Sequence, residues 1–147
     1  MDAITTVALE PGKSFPLGAS LVAGGANFSV FSKHASAVQL LLFDGVDAKR
    51  PSKVIDLDAR SRRTYHYWHT FVPGLKAGQL YAYRAHGPYA PEKGLRFDAD
   101  KVLLDPYGKC VARPPRVSRA AAWLSAAFVL CASSGLQLQQ GSSRRAR

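Results

Sequence analysis

The sequence predicts an all-β protein, an antiparallel β-sandwich that is followed by an irregular or partly helical C-terminal tail. Between residues 17 and 108, short runs rich in β-branched and aromatic residues alternate with clusters of Gly, Pro and Asp, which favours strands joined by turns. No segment before residue 110 shows a long apolar repeat of helical period. Short strands separated by turns at fairly regular spacing are typical of an antiparallel sandwich.

Six runs are predicted as strands, and most of them border residue pairs that favour turns. Gly24-Gly25 precedes the first run, Asp44-Gly45 closes the second, Pro73-Gly74 the fourth and Gly87-Pro88 the fifth. With 47% hydrophobic residues, the chain has enough apolar side chains to bury a core between these strands. The strands are predicted at residues 26–32, 36–43, 54–57, 65–72, 80–86 and 102–104.

The C-terminal part of the chain differs in composition from the rest. Residues 120–132 form an Ala-rich apolar block, and because Ala favours helices, a helix is predicted at 119–132. The block is shorter than the roughly 20 apolar residues that span a bilayer, so no membrane partner is expected. Residues 133–147 are poor in apolar residues and are predicted to be disordered. The chain thus divides into an N-terminal extension (1–14), a sandwich (15–112) and a basic tail (113–147).

The net charge of +10 is unevenly distributed along the chain. Residues 1–112 carry 14 Lys and Arg against 10 Asp and Glu, whereas residues 113–147 carry six Arg and no acidic residue. A strongly basic net charge suggests nucleic acid as a possible class of partner. The sandwich is only mildly basic and contains no motif that reads bases, so nucleic acid is not expected to bind.

The N-terminus predicts a cytoplasmic protein. Residues 1–12 include Asp2 and Glu10 and lack the basic region followed by an apolar stretch that marks a secretion signal. Cys110 and Cys131 are the only cysteines. Two distant cysteines without a secretion signal do not predict a disulfide framework.

A series of short motifs runs in a fixed order over about residues 15–112. Each motif alone is weakly specific, but their joint order and spacing over nearly the whole predicted sandwich is specific. They are GANFSVFS at 25–32, YWH at 67–69, VPGL at 72–75, HGPYAP at 86–91, GLRFD at 94–98 and KVLLDPY at 101–107. The series resembles the isoamylase-type and GlgX-type glycogen-debranching enzymes.

This resemblance implies a fold and a function. The matching region in that family is an immunoglobulin-like sandwich, a family-48 carbohydrate-binding module. In the family it precedes a family-13 glycoside hydrolase barrel that cleaves the α-1,6 branches of glycogen. The family pattern stops near residue 121 of this chain. We therefore expect a glucan-binding or supporting module without its catalytic barrel, with glycogen or another branched α-glucan as the partner.

We expect this chain alone not to be an enzyme. Hydrolysis of a glycosidic bond requires two carboxyl groups held across that bond, and the barrel that holds them takes roughly 250 residues. Asp98, Asp100 and Asp105 are interpreted as turn and strand-end residues. His66 and His69 are an odd number of positions apart on a predicted strand and point to opposite faces, which argues against a metal pair. No catalytic residue, metal or cofactor is expected.

The fourth predicted strand supplies the first candidates for binding. Trp68 and Val72 are predicted to point into the core, because the resembled family is apolar at these positions. Tyr67, His69 and Phe71 would then point outward. Three roles remain open for them: contact with a catalytic barrel, stacking on sugar rings, or the ordinary half-buried positions of a strand.

The loop after the fifth predicted strand supplies the other candidates. His86, Tyr89 and Arg96 lie in or near the HGPYAP and GLRFD motifs, which in the resembled family lie near the barrel. They either form a rigid turn or contact glucan directly. Two alternatives to a glucan-binding module also remain: a truncated remnant whose sandwich only supported a barrel, and an adaptor that resembles the glycogen-sensing subunits of kinases.

Overall fold

A computed structural model describes residues 9–112 and 127–129. Within these residues the chain forms eleven short strands and one 3₁₀ turn, Pro91–Lys93. No helix in this part of the chain is long and apolar enough to cross a membrane. The strands are β1 (Gly18–Val22), β2 (Gly25–Phe31), β3 (Ala37–Phe43), β4 (Lys53–Leu57), β5 (Arg63–Thr64), β6 (Tyr67–Pro73), β7 (Leu80–His86), β8 (Tyr89–Ala90), β9 (Leu95–Arg96), β10 (Cys110–Ala112) and β11 (Ala127–Val129).

The strands form two antiparallel sheets and a separate hairpin. The first sheet has the order β1-β2-β6-β5, the second has the order β10-β11-β7-β3-β4, and β8 pairs with β9. All of the strand pairs are antiparallel. The prediction of an all-β antiparallel sandwich is therefore confirmed.

The core lies between the two sheets and follows from the alternation of side chains along each strand. In the first sheet β2 pairs with β6 from Gly25↔Pro73 to Phe31↔Tyr67, so alternate residues of both strands point the same way. Trp68 and Val72 are fully buried, as predicted. The buried core contains Phe28, Val30, Val38, Leu40, Leu42, Ile55, Leu57, Trp68, Val72, Tyr81 and Tyr83.

Residues 9–14 of the predicted N-terminal extension pack against the first sheet. The Lys13 amide donates to Asn27 Oδ1 over 2.7 Å, and Asn27 Nδ2 donates to the Lys13 carbonyl over 2.9 Å. The Ser29 hydroxyl donates to the Ser14 carbonyl over 2.7 Å. Gly12 has a φ of +72°. We call residues 9–14 the N-terminal segment; it covers part of the outer face of this sheet.

Two strand predictions require correction. β1 was not predicted, and it forms because its backbone pairs with β2 along its whole length, from Gly18↔Ser29 to Val22↔Gly25. The predicted strand at 102–104 is reduced to a single bridge between Leu103 and Tyr83. That region is anchored by a turn instead, in which Asp105 Oδ1 accepts the Tyr107 amide over 2.8 Å.

The tail prediction is only partly covered by the structure. Of the helix predicted at 119–132, residues 127–129 are described, and they form β11 instead of a helix. β11 pairs with β7 on one side and β10 on the other, so backbone pairing overrides the helix preference of Ala. The other residues after 112 lie outside the described part. Cys110 is disulfide-bonded, which the sequence did not lead us to expect; the cytoplasmic location stays a prediction.

Candidate functional site

The sandwich is open at the end where β2 finishes. β1 begins at Gly18, opposite Ser29, so Val30 and Phe31 have no β1 residue beside them. On the second sheet, Leu103 lies beside Tyr83 and exchanges two backbone hydrogen bonds with it, of 2.8 and 2.7 Å. Two adjoining cavities occupy the space between these edges.

The larger space, which we call the outer cavity, has a volume of about 510 Å³. Its apolar walls come from both sheets and from the chain around β9, and its rim carries charged and polar side chains. The lining residues are Phe31, Ser32, Lys33, His34, Ala85, Gly94, Leu95, Arg96, Phe97, Asp98, Lys101 and Leu103.

A close approach between Gly87 and Phe97 shapes the wall of the outer cavity. A Cβ atom at position 87 would lie only 2.6 Å from Cγ of Phe97. Only glycine therefore lets the Phe97 ring occupy this place, where it packs against the core. The glycine of the HGPYAP motif thus has a packing role that positions one cavity wall.

The rim of the outer cavity is positively charged. Lys33, Arg96 and Lys101 are exposed there, and Lys101 Nζ lies 3.5 Å from Asp98 Oδ2. Within the described residues this is the one ion pair. Lys33 and Arg96 therefore keep their charges and donors free for a ligand, in a cavity whose floor is apolar.

Four aromatic side chains form a cluster on the surface beside the outer cavity: Phe31, Tyr65, His66 and Tyr67. The Phe31 ring meets the Tyr67 ring edge to face at a centroid distance of 5.4 Å and the His66 ring at 6.0 Å. The Tyr65 ring is tilted by 43° against the His66 ring at a centroid distance of 3.8 Å, and Tyr65 is 77% exposed. We call these four residues the aromatic cluster; it joins the cavity through Phe31, which belongs to both.

Tyr65 lies in a strained turn. Arg63 pairs with Trp68 and Thr64 with Tyr67, so Tyr65 and His66 alone connect β5 to β6. Tyr65 has a φ of +59°, a left-handed conformation that costs an L-residue about 1–2 kcal/mol. Such strain persists where its surroundings enforce it, and it concentrates at functional sites.

Arg63 holds this turn in place. Its Nε donates to the Tyr65 carbonyl over 2.9 Å, and its guanidinium lies 4.9 Å from the centre of the Trp68 ring. Desolvation, followed by the charges of Arg63, Lys33 and His34, lowers the pKa of His66 below its ordinary value. His66 therefore presents a neutral ring to the surface at neutral pH.

The structure brings three of the sequence-predicted candidates to this end of the sandwich. Tyr67 is half-buried within the aromatic cluster. Arg96 is exposed at the rim of the outer cavity. Tyr89 is its register partner in the β8–β9 hairpin and is also exposed. Their roles in binding stay predictions, but their positions are compatible with one continuous surface.

The other three candidates belong neither to the aromatic cluster nor to the lining of the outer cavity, and the exposure expected for His69 is wrong. His69 is only 6% exposed, because the N-terminal segment covers it. Its Nδ1 lies 2.6 Å from the Pro11 carbonyl, which can only accept, so Nδ1 carries the proton. Its Nε2 then accepts from the Thr64 hydroxyl over 2.8 Å. This is the pattern of a satisfied structural histidine.

Phe71 and His86 are both half-buried, and neither belongs to the aromatic cluster or lines the outer cavity. Phe71 lies four residues along β6 from Tyr67 and lines a second cavity, of about 650 Å³, with Val22 and the N-terminal segment. The His86 carbonyl accepts the Ser36 amide over 2.8 Å at the end of β7. The six candidates therefore do not form one site.

Sequence reasoning missed Phe31, Tyr65 and His66 as members of the surface. The turn at Tyr65-His66 contains no Gly, Asn or Asp, the usual signals for a tight hairpin turn, so it was included in a strand. The signal that could have found them was the high density of aromatic residues from Tyr65 to Trp68. These residues were interpreted as the two faces of one strand.

The carboxylates that were interpreted as turn residues have structural partners. Asp98 Oδ1 accepts the Asp100 amide over 3.0 Å. Asp105 is buried, and its Oδ2 accepts the Tyr81 hydroxyl over 2.9 Å. Burial raises the pKa of Asp105, against the opposing hydrogen bonds from Tyr107 and Tyr81. Among residues 9–112 and 127–129, no group of three or more His, Cys, Asp or Glu is placed to hold a metal ion.

Comparison with known structures supports the fold. A pullulanase from Bacillus acidopullulyticus matches 79% of this chain with a TM-score of 0.56 at 19% identity, over 12% of its own length. A pullulanase from Paenibacillus barengoltzii, solved with maltohexaose and α-cyclodextrin, matches 69% of this chain with a TM-score of 0.54 at 22% identity, over 14% of its own length.

Sequence comparison is more specific. The chain is 43% identical over 106 residues to a glycogen debranching enzyme of Serratia proteamaculans, which covers 72% of this chain and 15% of that enzyme. It is 47% identical over 107 residues to the chloroplastic isoamylase 3 of Oryza sativa, which covers 69% of this chain and 14% of the relative. This chain thus spans about one seventh of the relatives it matches. Residues 16–108 match the carbohydrate-binding module 48 family, described as the isoamylase N-terminal domain, and the chain belongs to that family.

Proposed function

We propose that this chain acts as the glucan-binding and supporting module of a glycogen-debranching enzyme. Its membership of the carbohydrate-binding module 48 family and the names of its relatives support this assignment. The observation that carries it is the exposed aromatic cluster, which lies beside an open cavity with a basic rim. In the proposed enzyme, hydrolysis of α-1,6 bonds belongs to a catalytic barrel, and this module contributes binding and support.

The aromatic cluster has the chemistry that a glucan requires. The flat C–H faces of a glucose ring pack on aromatic faces, and hydroxyl groups at its edge need hydrogen-bond partners. Tyr65 offers an exposed ring, and the turn that carries it is fixed by Arg63. Lys33 and Arg96 lie at the cavity rim, where their donors face ligand hydroxyl groups.

Affinity electrophoresis in native gels that contain glycogen tests this proposal. The wild-type chain should be retarded, and the retardation should persist at high salt, because stacking is not screened by ions. Tyr65→Asn should weaken binding by about tenfold through loss of the stacking ring. Asn tolerates a positive φ better than Tyr, so this variant should keep its stability.

Val54→Thr provides a matched control. Val54 is exposed on the edge strand β4 of the second sheet, away from the aromatic cluster, and Thr preserves its β-branched shape. This variant should migrate like the wild type. Absence of retardation for the wild-type chain would exclude glucan binding and favour a purely supporting role. The adaptor alternative depended on residues 119–132, most of which lie outside the described part of the chain.

A further inference from the structure

The rim of the outer cavity carries more positive charge than its one acidic residue can balance. Lys33, Arg96 and Lys101 are the cations of the lining, and Asp98 is its acidic residue. Asp98 is paired with Lys101. Lys33 and Arg96 are both exposed and have no ionic partner among the described residues. Neighbouring like charges repel each other, so the stability of the fold does not explain this arrangement.

The two unpaired cations come from separate parts of the chain. Lys33 follows the end of β2 in the first sheet, whereas Arg96 lies in β9 of the hairpin. Both side chains line the same cavity. A ligand at this rim therefore meets two cations that are positioned independently of each other.

Arg63 extends the positive charge from the rim to the aromatic cluster. Its Nη2 donates to the Lys33 carbonyl over 3.4 Å and lies 3.4 Å from Nδ1 of His66. After desolvation, the charges of Arg63, Lys33 and His34 are what lowers the pKa of His66. The positive field therefore reaches the rings that are proposed to stack on glucose.

The floor of the outer cavity is not suited to a charged ligand group. It adjoins a smaller space of about 160 Å³ whose walls are mainly apolar and include Val30, Val38 and Tyr83. The Tyr83 hydroxyl is inaccessible there. An anionic group in this space would lose its hydration without gaining partners. A charged group is therefore favoured at the exposed rim, where it keeps part of its hydration shell.

We propose that the rim of the outer cavity binds a phosphate monoester carried by a glucan chain, with Lys33 and Arg96 as its cationic partners. Such a group carries about −1.5 to −2 charges at neutral pH and three strong acceptor oxygens. A guanidinium group can donate two parallel hydrogen bonds to phosphate, and an ammonium group adds a compact charge. The cavity and the aromatic cluster share Phe31, so one chain can contact both. This inference rests on the proposed glucan binding and defines the preferred glucan as a phosphorylated one.

Calorimetric titration with two matched ligands tests the inference. One ligand is maltohexaose, and the other is maltohexaose with a single phosphate monoester on a primary hydroxyl group. The wild-type chain should bind the phosphorylated ligand about tenfold more tightly at low salt, since exposed charge pairs contribute modestly. At about 1 M NaCl this preference should largely disappear because the charges are screened. The affinity for unmodified maltohexaose should persist.

Two substitutions assign the preference to residues. Lys33→Gln and Arg96→Gln should each lower the affinity ratio of the two ligands by about threefold, and the double variant should remove the preference. Gln retains a donor for sugar hydroxyl groups, and the ratio corrects for any loss of neutral binding. The control Lys76→Gln removes the same charge from an exposed residue beyond the other end of β6. It should keep the full preference.

Smaller phosphates and a nucleic acid identify the carrier of the phosphate group. Inorganic phosphate and glucose 6-phosphate should bind about tenfold more weakly than the phosphorylated maltohexaose, because they lack the rings that stack. Equal affinity for glucose 6-phosphate, or for a single-stranded DNA hexamer, would overturn the assignment to a glucan.

The same titrations separate this inference from the proposed function. A wild-type chain without preference for the phosphorylated ligand, or a preference that persists in the double variant, would overturn the inference. If unmodified maltohexaose still binds in that case, the proposed function survives. If the wild-type chain binds neither ligand, both fail together.

Discussion

Two outward-facing side chains of the same strand, β6, differ in their exposure to solvent. Tyr67 stays half-exposed in the aromatic cluster, whereas His69, two residues later on the same face, is buried under the N-terminal segment. The strand orients both side chains toward the same outer face of the sheet. What differs is a segment more than 50 residues away in sequence, since Pro11 and His69 are 58 positions apart. The covered stretch holds the N-terminal segment on the sandwich, and the open stretch stays accessible at the surface.

The largest expected effect comes from removing the covered histidine. His69→Ala leaves a cavity under the N-terminal segment and removes the hydrogen-bond partner of the Pro11 carbonyl and of the Thr64 hydroxyl. It should lower the free energy of unfolding by about 2–4 kcal/mol, measured by urea denaturation. Retardation in glycogen should persist below the melting transition. A loss of glucan binding without a loss of stability would show that His69 contacts the ligand.

A smaller effect is expected at the segment that provides the cover. Gly12 combines a φ of +72° with a Cβ position 2.6 Å from the Phe71 amide nitrogen and from the Thr70 carbonyl carbon. Gly12→Ala should lower the free energy of unfolding by about 2–3 kcal/mol, because overlap with the backbone of Thr70 and Phe71 adds to the cost of the positive φ. It should also speed hydrogen exchange at Phe71, whose amide donates to the Glu10 carbonyl over 3.0 Å.

The substitution Gly74→Ala is the matched control for Gly12→Ala. Gly74 also has a positive φ, of +78°, but a Cβ there would have no atom within 4 Å. The variant Gly74→Ala therefore loses stability only through the cost of a positive φ and not through steric overlap. Equal losses of stability in the two variants would show that the N-terminal segment does not pack tightly on the sheet.

The fold was predictable because it follows from local alternation. The runs that became β2, β3, β4, β6 and β7 contain apolar residues at alternate positions, except for Thr70 in β6. The connections between them contain Gly, Pro or Asp, except for residues 32–36. β1 and β11 were not predictable in this way. Their short sequences contain little alternation, and each strand depends on backbone partners that are supplied by other parts of the chain.

The candidate site was only partly predictable, for a related reason. Strand period places Tyr67 and Trp68 on opposite faces, and the apolar pattern of the resembled family assigned Trp68 to the inward face. The burial of His69 depends on the N-terminal segment, which is distant in sequence, and no pattern in the sequence around His69 predicts it. The turn at Tyr65 is enforced by Arg63 and Trp68 and not by glycine or asparagine.

Titration of the ¹⁵N-labelled chain with maltohexaose, followed by amide chemical shifts, tests most directly the claim that the open end binds glucan. The account predicts progressive shifts at Phe31, at Tyr65 to Tyr67, and at Arg96 and Phe97. Amides near Gly12 and Phe71, at the second cavity, should stay unchanged. Shifts confined to Gly12, Val22 and Phe71 would contradict the account and place the binding surface at the opposite end of the sandwich.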